Sequence, residues 1–157
     1  MRHMVHAGEI KLSDSPRDVL VAQSLGSCLG VAIHDPVSGI SGLLHVLLPR
    51  PGDNGRAGEN PYLYATTGIP RLFKAAYAMG AAKKNIVVKL AGGAKVLDDQ
   101  DSFDIGKRNF IIARKILWKN GILISAEDVG GTIWRSIDLD VGSGRLWIRN
   151  AGGRFEL

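Results

Sequence analysis

Short apolar runs set off by turn-forming clusters dominate the first third of the chain, and longer runs with helical spacing appear only after it. Val19-Leu20-Val21-Ala22 reads as a buried strand. Leu29 to Ile33 reads as a second, and Asp35-Pro36-Val37-Ser38-Gly39 supplies turn chemistry after it. Ile40 to Leu48 is a third apolar run, stopped by Pro49 and Pro51. From Pro49 to Pro61 the chain is polar and glycine-rich, a length that suits a lid over a site. A helix then follows, with Ile69, Leu72, Phe73 and Ala76 on one face, Thr67 as N-cap, Pro70 in the first turn and Gly80 as the stop. Ile86 to Leu90 is a strand that ends in Ala91-Gly92-Gly93-Ala94. Ile105 to Asn120 is a second helix, its wide apolar face built from Ile105, Phe110, Ile112, Ala113, Ile116 and Leu117. Arg114, Lys115 and Lys119 suit its C-terminal end, and Gly121 closes it. Ile122 to Ala126 is a further strand. Thr132 to Leu139 and Arg145 to Ile148 pair as a hairpin through Val141-Gly142-Ser143-Gly144. Strand runs outnumber helices and no linker or repeat interrupts them. The expectation is a single domain over residues 1–157, of α+β class: a layered α/β sandwich of mixed, largely antiparallel sheets with two main helices.

Composition narrows the class. Of the 157 residues, 45% are hydrophobic and 22% charged, a globular balance. Twenty glycines point to tight turns and close backbone approaches. A single cysteine cannot form an internal disulfide, so a reducing cytoplasm is expected. No apolar run is long enough for a signal peptide or a membrane span, so direct membrane insertion is not expected. The net charge of +5 is scattered over residues such as Arg71, Lys74, Lys83, Arg108 and Lys119, with no basic run interleaved with aromatics. That excludes a recognisable nucleic-acid module and leaves a mild preference for acidic protein partners.

The candidate chemistry rests on the lone thiol. Cys28 lies in Leu25-Gly26-Ser27-Cys28, at a small-residue bend between two strand runs. His45 lies in Gly42-Leu43-Leu44-His45-Val46-Leu47-Leu48-Pro49, on the far side of the turn near Val37. A hairpin that sets Cys28 directly opposite His45 puts both on one face, with Cβ atoms roughly 5 Å apart. A one-residue slip would part them. An imidazole beside a thiol can take its proton and leave a thiolate, which attacks a carbonyl carbon and forms a thioester. Gly26 and Ser27 keep the backbone slim there, so that substrate can approach and N–H groups can face an oxyanion. The competing reading is bland: a free cysteine is often a small buried hydrophobe, and a histidine in an apolar strand a hydrogen-bonded core residue.

Other candidates are weaker. Gly92-Gly93 lacks the Walker lysine and the dinucleotide fingerprint. His3, His6 and His34 have no metal-site spacing, His34 being expected at a turn. Asp98, Asp99, Asp101 and Asp104 lack the glycine and terminal glutamate of a calcium loop. Neither a metal nor a cofactor is expected. Trp118, Trp134 and Trp147 read as core or hairpin packing, with Trp134 also a candidate for an interface.

The motifs taken in order resemble the CheD family, the chemoreceptor glutamine deamidases of bacterial and archaeal chemotaxis. Gly8-Glu9, Leu25-Gly26-Ser27-Cys28, Asp35-Pro36 and Gly42 to Pro49 match its first half. Tyr64 with Gly68-Ile69-Pro70, Lys89-Leu90-Ala91-Gly92-Gly93-Ala94, Ile105-Gly106-Lys107-Arg108-Asn109, Glu127-Asp128-Val129-Gly130-Gly131 and Arg135-Ser136 match the rest. The resemblance implies a fold like the catalytic domain of cytotoxic necrotizing factor toxins. It implies hydrolysis of glutamine side chains on methyl-accepting chemoreceptors to glutamate and ammonia, and interaction with the CheC phosphatase where one exists. By carry-over Cys28 is the nucleophile and His45 the general base and acid. The sequence departs from the family in two places. Ala22 stands where a threonine often completes a triad, which leaves Gln23, Ser24 or a main-chain carbonyl to orient the histidine, with Ser27 as oxyanion support. Trp134 stands where a small residue usually precedes the arginine. A regulatory binding module with weakened catalysis is the rival expectation, and a cysteine protease the third.

Overall fold

A computed structural model describes residues 1–52, 60–96 and 104–157. Two five-stranded mixed sheets stack face to face, and two helices cover the outer face of one of them. The strands are β1 (Arg2–Met4), β2 (Ile10–Ser13), β3 (Val19–Leu25), β4 (Leu29–Asp35), β5 (Ile40–Val46), β6 (Val87–Gly92), β7 (Ile124–Val129), β8 (Arg135–Asp140), β9 (Leu146–Asn150) and β10 (Gly153–Glu156); the helices are α1 (Ala65–Met79) and α2 (Ile105–Lys119). The first sheet runs β1-β3-β8-β9-β10 and the second β2-β5-β4-β6-β7. Among the described strands β1–β3 and β6–β7 pair parallel, and the other neighbours are antiparallel.

The second sheet is the middle layer, and this explains the unbroken apolar runs. Every residue of β4 and β5 is buried. A strand covered on both faces has no solvent side to alternate toward. Leu29, Val31, Ile33, Leu44 and Val46 face α1 and α2, meeting Ile69, Leu72, Phe73, Ala76, Ala113 and Leu117. The opposite parity, Ala32 and Leu43, faces the first sheet and meets Leu20, Ala22, Leu25, Ile137, Leu139 and Ile148.

The β4–β5 turn spans Pro36 to Gly39, with Asp35 paired to Ile40. Pro36 has no N–H to give a ladder and Gly39 takes φ +77°, so these residues stay outside the strands. The Asp35 carboxylate accepts from Val37 N (2.8 Å) and Ser38 N (3.1 Å), and also from Ala82 N at 2.9 Å. Burial opposes its ionisation, but these N–H donors outweigh that and hold the carboxyl below its ordinary range.

Three expectations are corrected. The hairpin register places Gly30, not Cys28, opposite His45. The slip is two residues, so the shared face survives. Helix α1 starts at Ala65, with Tyr64 as N-cap, so Pro70 lies inside the helix and not in its first turn. Thr67 is a helical residue whose hydroxyl donates to the Pro61 carbonyl. His34 is not at a turn but buried in β4, its Nδ1 2.7 Å from Ser41 Oγ. Gly80 ends α1 as expected, at φ +116°.

Candidate active site

The bend Gly26-Ser27-Cys28 is where the chain leaves β3 in the first sheet and enters β4 in the second. The glycine motif holds it there. Gly93 N donates to Cys28 O and Ala94 N to Gly26 O, both at 2.8 Å, while Gly92 pairs with Leu29. Gly92 sits at φ +114°, and a Cβ on it would lie 2.3 Å from Cys28 O. The Gly92-Gly93 pair is thus the backbone cradle of the cysteine bend.

Cys28 is a free thiol, partly buried against the inter-sheet core. His45, 6% exposed, lies on the same face of β5 as Leu43, between the sheets. Its pairing partner Gly30 has no side chain, and the face there is closed by Ile137 and Leu25 from the first sheet. Cys28 lies one residue before β4 and two before Gly30, and it packs against the same inter-sheet core that His45 faces. No hydrogen bond joins the two side chains among the described residues.

The N-terminal segment grips His45. Gly8 N donates to His45 O at 2.9 Å and His45 N to Glu9 O at 3.2 Å. The ring's Nδ1 lies 2.9 Å from the carbonyl oxygen of buried Val5. A carbonyl only accepts, so Nδ1 carries the proton and Nε2 keeps its lone pair. Burial lowers the His45 pKa, against the smaller opposing effect of the Val5 bond. Burial also pushes the Cys28 thiol up to about 11, its own backbone N–H opposing. Both shifts favour the uncharged forms at neutral pH, a neutral thiol and a neutral imidazole whose Nε2 can accept a proton.

Of the candidates for the orienting role, the main-chain carbonyl occupies Nδ1. Ala22 is fully buried in the inter-sheet core beside Ile137 and offers no polar atom. Gln23 and Ser24 are exposed; Ser24 forms a bulge at φ +55°, and its N–H donates to Ser136 Oγ. Ser27 is half-buried. Sequence reading missed Val5. Its signal is faint, because it follows a three-residue strand and is held over His45 by main-chain bonds to residues distant in sequence, Val5 N to Val21 O and Gly8 N to His45 O among them.

The remaining candidates fall elsewhere. Residues 53–59 of the proposed lid, and Asp98, Asp99 and Asp101, lie outside the described residues. Asp104 directly precedes α2, at φ +52°. His3 contacts Asp18 at 3.1 Å. Among the described residues no cluster of His, Cys, Asp or Glu could hold a metal ion. Trp118 is 75% exposed and so is not core, and Trp147 stacks on Arg154. Trp134, 57% exposed, lies over Gly26, whose Cβ would meet the ring at 2.8 Å. No described helix is long and apolar enough to cross a membrane.

Fold and site together define a class: an α+β protein of two stacked sheets whose inter-sheet layer carries a cysteine and a base-ready histidine. More narrowly, the chain belongs to the CheD family, whose model, described as CheD chemotactic sensory transduction, matches residues 47–150. That span begins after Cys28 and His45, but similar curated proteins align over nearly the whole chain. One from Solibacter usitatus, named a probable chemoreceptor glutamine deamidase CheD, is 45% identical over 98% of this chain and 92% of its own length. A CheD 1 of the same description from Syntrophus aciditrophicus is 44% identical over 96% and 94%. The chemoreceptor glutamine deamidase CheD of Thermotoga maritima is 34% identical over 100% and 97%.

Proposed function

We propose that this protein is a chemoreceptor glutamine deamidase that uses Cys28 as nucleophile and His45 as general base and acid. The Cys28 sulfur attacks the side-chain carbonyl carbon of a receptor glutamine while His45 Nε2 takes the thiol proton. The resulting imidazolium gives that proton to the departing nitrogen, and ammonia leaves a thioester on Cys28. Water then attacks the thioester carbon and loses a proton to Nε2. The sulfur departs, recovers that proton, and glutamate is released. Because the resting thiol is neutral, proton transfer accompanies attack. The Val5 carbonyl takes the part of the missing threonine: it fixes the tautomer and the ring plane, and it stabilises the imidazolium.

The observation that carries this reading is the histidine Nδ1 anchored on Val5, with Nε2 unpartnered among the described residues and the lone cysteine packed on the same inter-sheet face. The test is ammonia release from a purified receptor signalling fragment. Wild type should release ammonia, and Cys28→Ala and His45→Ala should not. Equal release by Cys28→Ala defeats the mechanism.

The family resemblance extends the proposal. The layered architecture is read as that of the cytotoxic necrotizing factor catalytic domains. The protein works in the cytoplasm without metal or cofactor, binds CheC where one is present, and engages neither nucleic acid nor the bilayer. A second reading, a binding module for CheC or receptors, is favoured by the raised thiol pKa and by Ala22. Receptor binding without any ammonia release would select it.

A further inference from the structure

Asn109 of α2 is fully buried. Its Nδ2 donates to Ser27 O at 2.9 Å and to Leu47 O at 3.1 Å. Ser27 directly precedes Cys28, and Leu47 follows His45 by two residues. The β4–β5 ladder ends at the pair Leu29–Val46, so both carbonyls lie just past its last rung. Asn109 therefore joins the two strands where their own hydrogen bonds stop. Both partners are carbonyls, so the amide nitrogen must face them. The price is Oδ1, which is buried with no partner among the described residues. Folded proteins rarely leave such an atom unpaired, and an apolar side chain would pack the helix without it.

We infer that Asn109 is a positioning residue for the deamidation site: it ties the main chain carrying Cys28 to the main chain carrying His45 and sets the distance between them. This rests on the cysteine–histidine reading above. Loss of the clasp frees the bend from the strand, and a misplacement of about 1 Å is enough to slow chemistry roughly 100-fold. Because Asn109 is buried beneath the bend and touches no substrate, the loss should fall on kcat and leave KM unchanged.

The experiment measures kcat and KM for ammonia release from the receptor fragment, alongside urea unfolding. Its variants are Asn109→Leu, which keeps the volume and removes the donors, and Asn109→Ser, which relieves packing. Both should unfold cooperatively, with kcat reduced between roughly 10- and 100-fold and KM within about 2-fold of wild type. Cys28→Ala and His45→Ala serve as controls. If they match wild type, the deamidase reading fails. If they are inactive while folded Asn109→Leu keeps the wild-type kcat, this inference alone fails. A rise in KM at constant kcat, or loss of folding in both variants, also overturns it.

Discussion

Gly92→Ala should move Cys28, the proposed nucleophile. The added Cβ would lie 2.3 Å from the Cys28 carbonyl oxygen and 3.3 Å from both Cys28 C and Leu29 Cα. All three are main-chain atoms, so no side-chain rotation relieves the contact. Reaching even 3.0 Å, a separation that Cβ contacts essentially never undercut, takes a backbone shift of roughly 0.7 Å. The Gly93–Cys28 bond and the Gly92–Leu29 pair transmit that shift to the bend. The substitution also places a side chain at φ +114°, which adds about 1–3 kcal/mol of strain. Gly39→Ala is the matched control: φ is +77°, but a Cβ there meets nothing within 4 Å. It should show strain alone, about 1–2 kcal/mol, with unaltered turnover. Urea denaturation gives the stability change, and steady-state ammonia release gives kcat. Gly92→Ala should lose more stability than Gly39→Ala and at least roughly 10-fold in kcat. Wild-type kcat in a folded Gly92→Ala protein would refute the view that the glycine motif sets the position of Cys28.

Three further outcomes are expected. The His34 and His45 pKa values are both lowered, chiefly by burial, so the unfolded chain binds more protons near neutrality. Their stability contribution should be complete above the ordinary histidine value of about 6.5 and fall as the pH drops through the lower folded values. A urea midpoint that stays flat between pH 7.5 and 5 would contradict this. Alkylation of Cys28 by iodoacetamide in the free protein should be slow at neutral pH and climb toward a thiol pKa of about 11; an inflection at or below the ordinary thiol value would show a preformed thiolate. Leu72→Ala, at a fully buried contact of α1 with the middle sheet, should destabilise by about 2–5 kcal/mol, read from denaturant midpoints.

The middle sheet and the helices were legible because both announce themselves locally. Leu29 to Ile33 and Ile40 to Leu48 are apolar runs bounded by turn residues, and α1 and α2 carry an apolar face and a closing glycine. The edges were not legible. β1, β2 and β10 span three or four residues with exposed positions, and their pairing comes from partners distant in sequence. Turn composition located the hairpin but not its register, because the carboxylate of Asp35 and the φ of Gly39 decide how many residues the loop absorbs. The cysteine and histidine were visible as residue types. The anchor on the histidine was not, since a main-chain carbonyl leaves no trace in side-chain identity and Val5 is placed by main-chain bonds to strands distant in sequence. Asn109 stood in a recognised motif, but its contacts with Ser27 and Leu47 cross long stretches of chain that no local pattern encodes.

The proposed chemistry is the conversion of receptor glutamine to glutamate by Cys28, with His45 as its base. The most direct measurement is peptide mass spectrometry of a chemoreceptor signalling fragment after incubation with wild type, Cys28→Ala and His45→Ala. Intact fragment with glutamate in place of specific glutamines is expected after wild-type treatment only. The same conversion by Cys28→Ala, or backbone cleavage in place of conversion, would contradict it.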